Sequence, residues 1–388
     1  MFQKIAYVIG LELNNNRRAH AVQIMKNAQA WANAAQSFEF VVNVFPATWR
    51  AGLDPEQLAQ FYGLQRPFPM RAFPFYHWEY ERHGWLMPVF YHVASWYCRL
   101  RGFDLIFSRN YNFPRYAIAR GIPTIMEGHN VPAREPERSN FLRATQDPRM
   151  LGVVTISQPL ADGMIAAGVP AHKMIVEPDG VDLERFANPL DRRAAREKLG
   201  LNPARPLAVY CGHLYEKRGV EEIFEAAKRL PHVDFLLVGG MDSDLAKRRR
   251  EIEHLKLENV LFSGFVENGR IPDYLWAADV LLMPYSREGA TAEWMSPMKM
   301  FEYMAAGRVI LSSDLPALRT VLRHGENAWL VAPDSGPALA EGMAALLDDS
   351  ALAQRLAAKA LEEIPQYAWQ ARVARILAFA KEQARQHL

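Results

Sequence analysis

Short apolar runs alternate with amphipathic stretches from one end of this chain to the other, and the alternation occurs twice. In the first half the strand candidates are 4–10, 38–45, 103–108, 122–127 and 152–157. In the second they are 206–212, 233–240, 259–265, 279–285, 307–313 and 327–332. These runs are apolar throughout, so both faces of each strand must be covered. That requirement selects parallel sheets flanked by helices. Between the strands, Val22, Met25, Ala28 and Ala32 fall on one helical face. Ser157, a capping type, opens a helix in QPLADGMIAAG. VEEIFEAAKRL and DLAKRRREIEHLKL carry helical patterns in the second half, and WQARVARILAFAKEQARQ closes the chain. The fold class is therefore α/β, with two Rossmann-like, doubly wound domains. The joint falls near the Pro-, Asp- and Arg-rich stretch 177–206. The division expected is 1–185, 186–365 and a final helix over 366–388.

A length of 388 residues, half of them hydrophobic, suits two globular domains. The formal net charge of +2 gives no reason to invoke nucleic acid as a partner. Cys98 and Cys211 form neither a zinc pattern nor a disulfide framework, so a reducing cytoplasm is expected. The N-terminal apolar run is short and reads as a buried first strand, not a signal peptide. No apolar run reaches the ~18 residues of a membrane-crossing helix. Residues 61–102 are dense in aromatic, Met and Arg residues. The preferred reading is core plus an irregular aromatic loop. The alternative is an apolar acceptor groove, or a peripheral contact with the inner face of a membrane.

Open α/β sheets bind ligands beyond the carboxyl ends of their strands, and with two such domains a deep interdomain cleft is the default site. The residues after each strand are the candidates. Ser296-Pro297-Met298-Lys299 starts a helix, with Ser296 expected as the cap and Pro297 at the first helical position. Amides at such a start suit an anion. Lys299 opposes the helix dipole, which also points to an anionic ligand. Glu302 can accept from both hydroxyls of a ribose diol. A capped helix with solvated Lys and Glu is the alternative. Gly212, His213, Lys217 and Arg218 line a loop between a strand and a helix, either as phosphate ligands or as a plain surface turn. His129 follows a strand and can donate to a sugar hydroxyl, or serve structurally. Asp242 and Asp244 form an Asp-x-Asp that helix-terminus preferences explain, so no metal site is assigned.

Taken together, these stretches resemble the retaining GT-B glycosyltransferases of family 4. The resemblance is carried by VVTISQPLADGMIAAGVPAHKMIVEPDGVDLERF, VYCGHLYEKRGVEEIFEAA, NVLFSGFVENGRIPDYLWAADVLLMPY, SPMKMFEYMAAGRVILSSDLPALRTVL and YAWQARVARIL, in that order. It implies transfer of a sugar from a nucleoside-diphosphate donor to a hydroxyl acceptor with retention, without metal or cofactor. It also implies that the last helix crosses back to the first domain. Glu302 would hold the ribose and Arg218 the diphosphate, helped by Lys217, Lys299 and the amides of Ser296, Pro297's neighbour Met298 and Gly212. Phe265 and Val266 match the turn at the base, and His129 matches the histidine beside the donor sugar. His213 stands where many members carry Arg. The first acid of the family's Glu-x7-Glu pattern would fall at Trp294, so the chain resembles a Ser-Pro-x-Lys variant. Asn14 to Asn16 replace the paired glycines many members show after the first strand. The rival readings are a non-catalytic nucleotide-binding subunit and a nucleotide-sugar epimerase.

Overall fold

The computed structural model describes residues 2–14, 16–76 and 86–387. Asn15 and residues 77–85 of the aromatic stretch lie outside the described residues. The chain forms two compact units, Met1–Pro178 with Trp369–Leu388, and Asp179–Ala368.

The first unit holds seven parallel strands: β1 (Lys4–Gly10), β2 (Ser37–Asn43), β3 (Met70–Phe73), β4 (Leu105–Ser108), β5 (Thr124–Gly128), β6 (Met150–Thr155) and β7 (Met174–Val176). Their order is β3-β2-β1-β4-β5-β6-β7. Ile5, Ala6, Tyr7 and Val8 of β1 are all buried, as a strand covered on both faces requires. β3 and β7 have no counterpart among the sequence candidates. Both are short edge strands: Arg71 interrupts the apolar pattern of β3, and β7 is an apolar run of only three residues, too short to stand out.

The helix Ala19–Ala34 is buried nearly all round, polar Gln23, Lys26, Asn27 and Gln29 included. The single apolar stripe expected there is thus too narrow. The last helix, Trp369–His387, supplies the reason: it packs on Ala19–Ala34 and on β6. Its buried stripe runs through Trp369, Arg372, Val373, Ile376 and Ala380, at helical spacing. Gly152 of β6 admits it closely, since a Cβ there would lie 2.7 Å from the Phe379 ring.

The second unit holds β8 (Leu207–Cys211), β9 (Asp234–Val238), β10 (Val260–Gly264), β11 (Val280–Met283), β12 (Val309–Ser313) and β13 (Trp329–Val331). They are parallel, in the order β10-β9-β8-β11-β12-β13. One apolar cluster covers each face of this sheet, one around Leu281 and Phe301 and the other around Leu237 and Phe224. In both units the strand order reverses beside the first strand, between β1 and β4 and between β8 and β11. Such switch points are where doubly wound sheets bind ligands.

Candidate functional site

In the second unit the switch point lies between β8 and β11. β8 ends at Cys211, and Gly212 turns the chain into the loop 213–219 at φ 142°. Gly219 closes the loop at φ 81° and leads into the helix Val220–Arg229. A Cβ at Gly219 would overlap the carbonyl oxygen of Pro284, the residue just after β11. Only glycine lets these two segments meet.

Arg218 and Lys299 converge there on aromatic rings. The Arg218 guanidinium donates to the Tyr215 hydroxyl and stands 4.6 Å from the Tyr215 ring and 5.4 Å from that of Tyr285. Lys299 Nζ lies 3.8 Å from the Tyr210 ring centre and 4.9 Å from that of Tyr285. That nitrogen is buried and makes no hydrogen bond among the described residues. Burial, and then Arg218 beside it, hold the Lys299 amine well below the usual lysine range. Two cations sharing one tyrosine ring are costly unless an anion joins them. The arrangement suits a ligand carrying two negative charges.

Lys299 and Glu302 ride on the helix Met298–Ala305. Tyr303 on the same helix fixes its place: its hydroxyl accepts the Cys211 N–H at 2.8 Å and donates to the Leu282 carbonyl at 3.3 Å. The expected cap differs. Pro297, not Ser296, occupies the N-cap position, and it makes no side-chain cap hydrogen bond among the described residues. Ser296 Oγ instead accepts the Asp179 N–H at 3.0 Å, which draws it away from the helix start. Glu302 is paired with Arg185 at 2.9 Å, both largely buried. Arg185 also donates to the Asn268 carbonyl, so it ties the helix to the segment just after Phe265 and Val266. Phe265 is 37% exposed, and Val266 packs against the core.

The other residues expected here sit further out. Lys217 is exposed, at φ 63°, and pairs with Glu288 at 3.2 Å. The His213 ring lies 5.5 Å from that of Tyr215, and its carbonyl accepts from Tyr210. Asp242 and Asp244 stand in the first turn of Asp242–Leu255, with Met241 at the cap position. Among the described residues, no group of three or more His, Cys, Asp or Glu side chains is placed to hold a metal.

The first unit gathers a second cluster. β5 ends at Gly128, and His129 follows it at once. His129 Nε2 is 2.6 Å from Oε1 of Glu127, a fully buried carboxylate. Glu127 also accepts from Gln23 (2.9 Å), Asn27 (3.1 Å) and Arg372 (2.8 Å), with Arg109 at 3.7 Å. Burial alone would raise its pKa, but Arg372, His129 and Arg109 together hold the carboxyl well below its usual range. Of the asparagines after β1, Asn16 is used locally, donating to the Glu12 carbonyl at 2.8 Å and accepting from the Arg18 N–H at 3.2 Å.

Arg185, Tyr210, Tyr285, Glu127 and Arg372 join these clusters without having been singled out from the sequence. One signal for Glu127 was present. It is the lone acid in IPTIMEG, and a buried acid needs a partner.

Both halves of the chain are similar to known proteins. Residues 191–363 match the family model described as glycosyl transferases group 1, and residues 30–185 match that of glycosyltransferase family 4. A D-inositol 3-phosphate glycosyltransferase of Xylanimonas cellulosilytica is 31% identical over 222 residues, 54% of this chain and 51% of that protein. A phosphatidyl-myo-inositol mannosyltransferase of Mycobacterium tuberculosis is 31% identical over 203 residues, 50% of each. The chain thus spans about half the length of the curated relatives it matches. Among solved structures, Anabaena HepE with UDP and glucose superposes with a TM-score of 0.71 at 19% identity, covering 97% of this chain and 99% of that one. Sucrose-phosphate synthase of Thermosynechococcus elongatus gives 0.74 at 20% identity, covering 98% of both. The chain has the GT-B fold, and each of its halves is related to a family of glycosyl transferases.

Proposed function

We propose that this chain is a retaining glycosyltransferase that moves a sugar from a nucleoside-diphosphate-sugar to a hydroxyl acceptor. The observation that carries the reading is the pair of cations, Arg218 and Lys299, held on Tyr285 at the β8–β11 switch point. Their task is to stabilise the diphosphate as it leaves. Preorganised charge aimed at a developing anion is usually the largest single catalytic contribution. Glu302, held by Arg185, receives the ribose hydroxyls. The segment at Phe265 and Val266 faces the base. His129 meets the donor sugar, with its ring held by Glu127. Lys217, Gly212 and the amides near Ser296 and Met298 complete the diphosphate contacts, and His213 is the weakest of the group. No metal is invoked, because the two cations already supply the positive charge.

Anabaena HepE, which shares this fold, has been solved with UDP and with UDP-glucose, so a uridine donor is the first to try. The acceptor belongs to the first unit. There the helix Leu86–Leu100 leaves Trp96 53% and Leu100 81% exposed beside Arg99 and Arg101. An apolar face bordered by cations suits a lipid-linked acceptor at an anionic membrane surface. No helix among the described residues is long and apolar enough to cross a membrane.

The test is to incubate the purified chain with a panel of nucleotide sugars, with and without acceptors, and to follow nucleoside-diphosphate release and the anomeric configuration of the product. Release of diphosphate with retained configuration, insensitive to EDTA, is expected. An epimerised donor with its diphosphate intact, or no turnover in any combination, would refute it.

A further inference from the structure

Glu127 is as deeply buried as any residue of the first unit, yet it is charged. Four side chains from three different parts of the chain converge on its two oxygens. Gln23 and Asn27 come from the helix Ala19–Ala34, His129 from the end of β5, and Arg372 from the last helix. Arg109, just after β4, approaches to 3.7 Å and is itself held by Gln23 at 2.6 Å. Arg372 is 1% exposed and donates also to the carbonyls of Glu177 and Pro178. A buried ion pair of this kind adds little to stability over an apolar replacement. Its placement against the one histidine at the end of β5 gives it another use.

We propose that Glu127 is a positioning residue for His129. An ionised carboxylate can only accept, so His129 Nε2 must carry the hydrogen it shares with Glu127. This fixes the ring's tautomer and its orientation, as carboxylate partners do for functional histidines elsewhere. His129 therefore cannot serve as a base through Nε2. Arg372 and Arg109 keep Glu127 ionised, which makes the last helix part of the support for His129. The inference rests on the transferase reading for its kinetic consequences, but not for the tautomer.

Two measurements test it. The first is nitrogen NMR of histidine-labelled wild-type protein, with the His129 signals assigned from a His129→Asn variant. The neutral ring is expected to carry its hydrogen on Nε2. A hydrogen on Nδ1 with a bare Nε2 overturns the proposal whatever the enzyme does. The second is a kinetic cycle. Glu127→Gln should lower kcat about tenfold or more, with the donor KM nearly unchanged, and Glu127→Asp should recover part of the loss. In a His129→Ala background, Glu127→Gln should change kcat by less than about twofold, because its effect passes through the ring. Equal losses in both backgrounds would mark a structural role only and overturn the proposal. If Glu127→Gln fails to fold because Arg372 is left unpaired, the cycle is run with Glu127→Gln joined to Arg372→Met, against Arg372→Met alone, and read the same way. A wild-type chain that turns over no donor counts against the transferase reading alone, and the tautomer then decides for Glu127.

Discussion

Lys299 carries its amine against the face of Tyr210, next to Arg218, with no hydrogen-bond acceptor among the described residues. Burial, then Arg218, lower its pKa well below the ordinary lysine value of ~10.4. Between the lowered value and that of the unfolded chain, the unfolded state binds more protons. Folding stability attributable to Lys299 therefore rises with pH across that window. A bound diphosphate reverses the preference by favouring the charged amine. Calorimetric titration of a nucleoside diphosphate, at a pH above the lowered value and in buffers of different ionisation enthalpy, should show proton uptake. Lys299→Met should abolish the uptake. An apparent enthalpy independent of buffer would contradict this account. Glu127 carries a linkage of the same sign at lower pH. Its carboxyl is held well below the ordinary ~4.3, so its contribution is present above that pH and is lost as pH falls through the lowered value. Acid unfolding of Glu127→Gln should accordingly be less steep than that of wild type, and an unchanged slope would remove Glu127 from the acid response.

At the scale of elements, the helix Met298–Ala305 is placed by Tyr303, whose hydroxyl bridges β8 and β11. Tyr303→Phe leaves the buried Cys211 N–H without its acceptor. Denaturant unfolding should show a loss of about 1–3 kcal/mol, with weaker nucleotide binding. The strands of both sheets were legible because a strand buried on both faces must be apolar along its whole length, as β1 and β8 are. β3 and β7 were not, because Arg71 interrupts the first and the second is only three residues long. In the site, Lys299 stood out by opposing the helix dipole, whereas Arg218 stood out only through the family resemblance, since two cations in a loop read equally as a surface turn. Tyr210, Tyr285 and Arg372 could not be read in advance. Buried tyrosines and a lone arginine in an amphipathic helix are ordinary in sequence, and only the packing shows what they touch. The Ser296 cap failed for a related reason: the competing donor, Asp179 N–H, is 117 residues away.

For the molecule as a whole, the last helix belongs to the first unit although the second unit intervenes in sequence. It buries Trp369, Val373, Ile376 and Ala380 there, and fully burying side chains of Val or Ile size is worth about 1.5–3 kcal/mol each. It also supplies Arg372 to Glu127. A chain ending at Ala368 should lose protease resistance in residues 2–178 while 179–368 stays resistant. Uniform resistance across both units would show that the helix is dispensable. The central claim is that the second unit holds a nucleoside diphosphate between Arg218 and Lys299, and equilibrium binding tests it most directly. Calorimetry of the wild type with UDP, GDP, ADP and TDP should find one that binds, and Arg218→Ala should weaken it about 100-fold, in line with the ~3 kcal/mol of one preorganised donor. Failure of all four to bind, or equal affinity in the folded Arg218→Ala variant, would contradict the account.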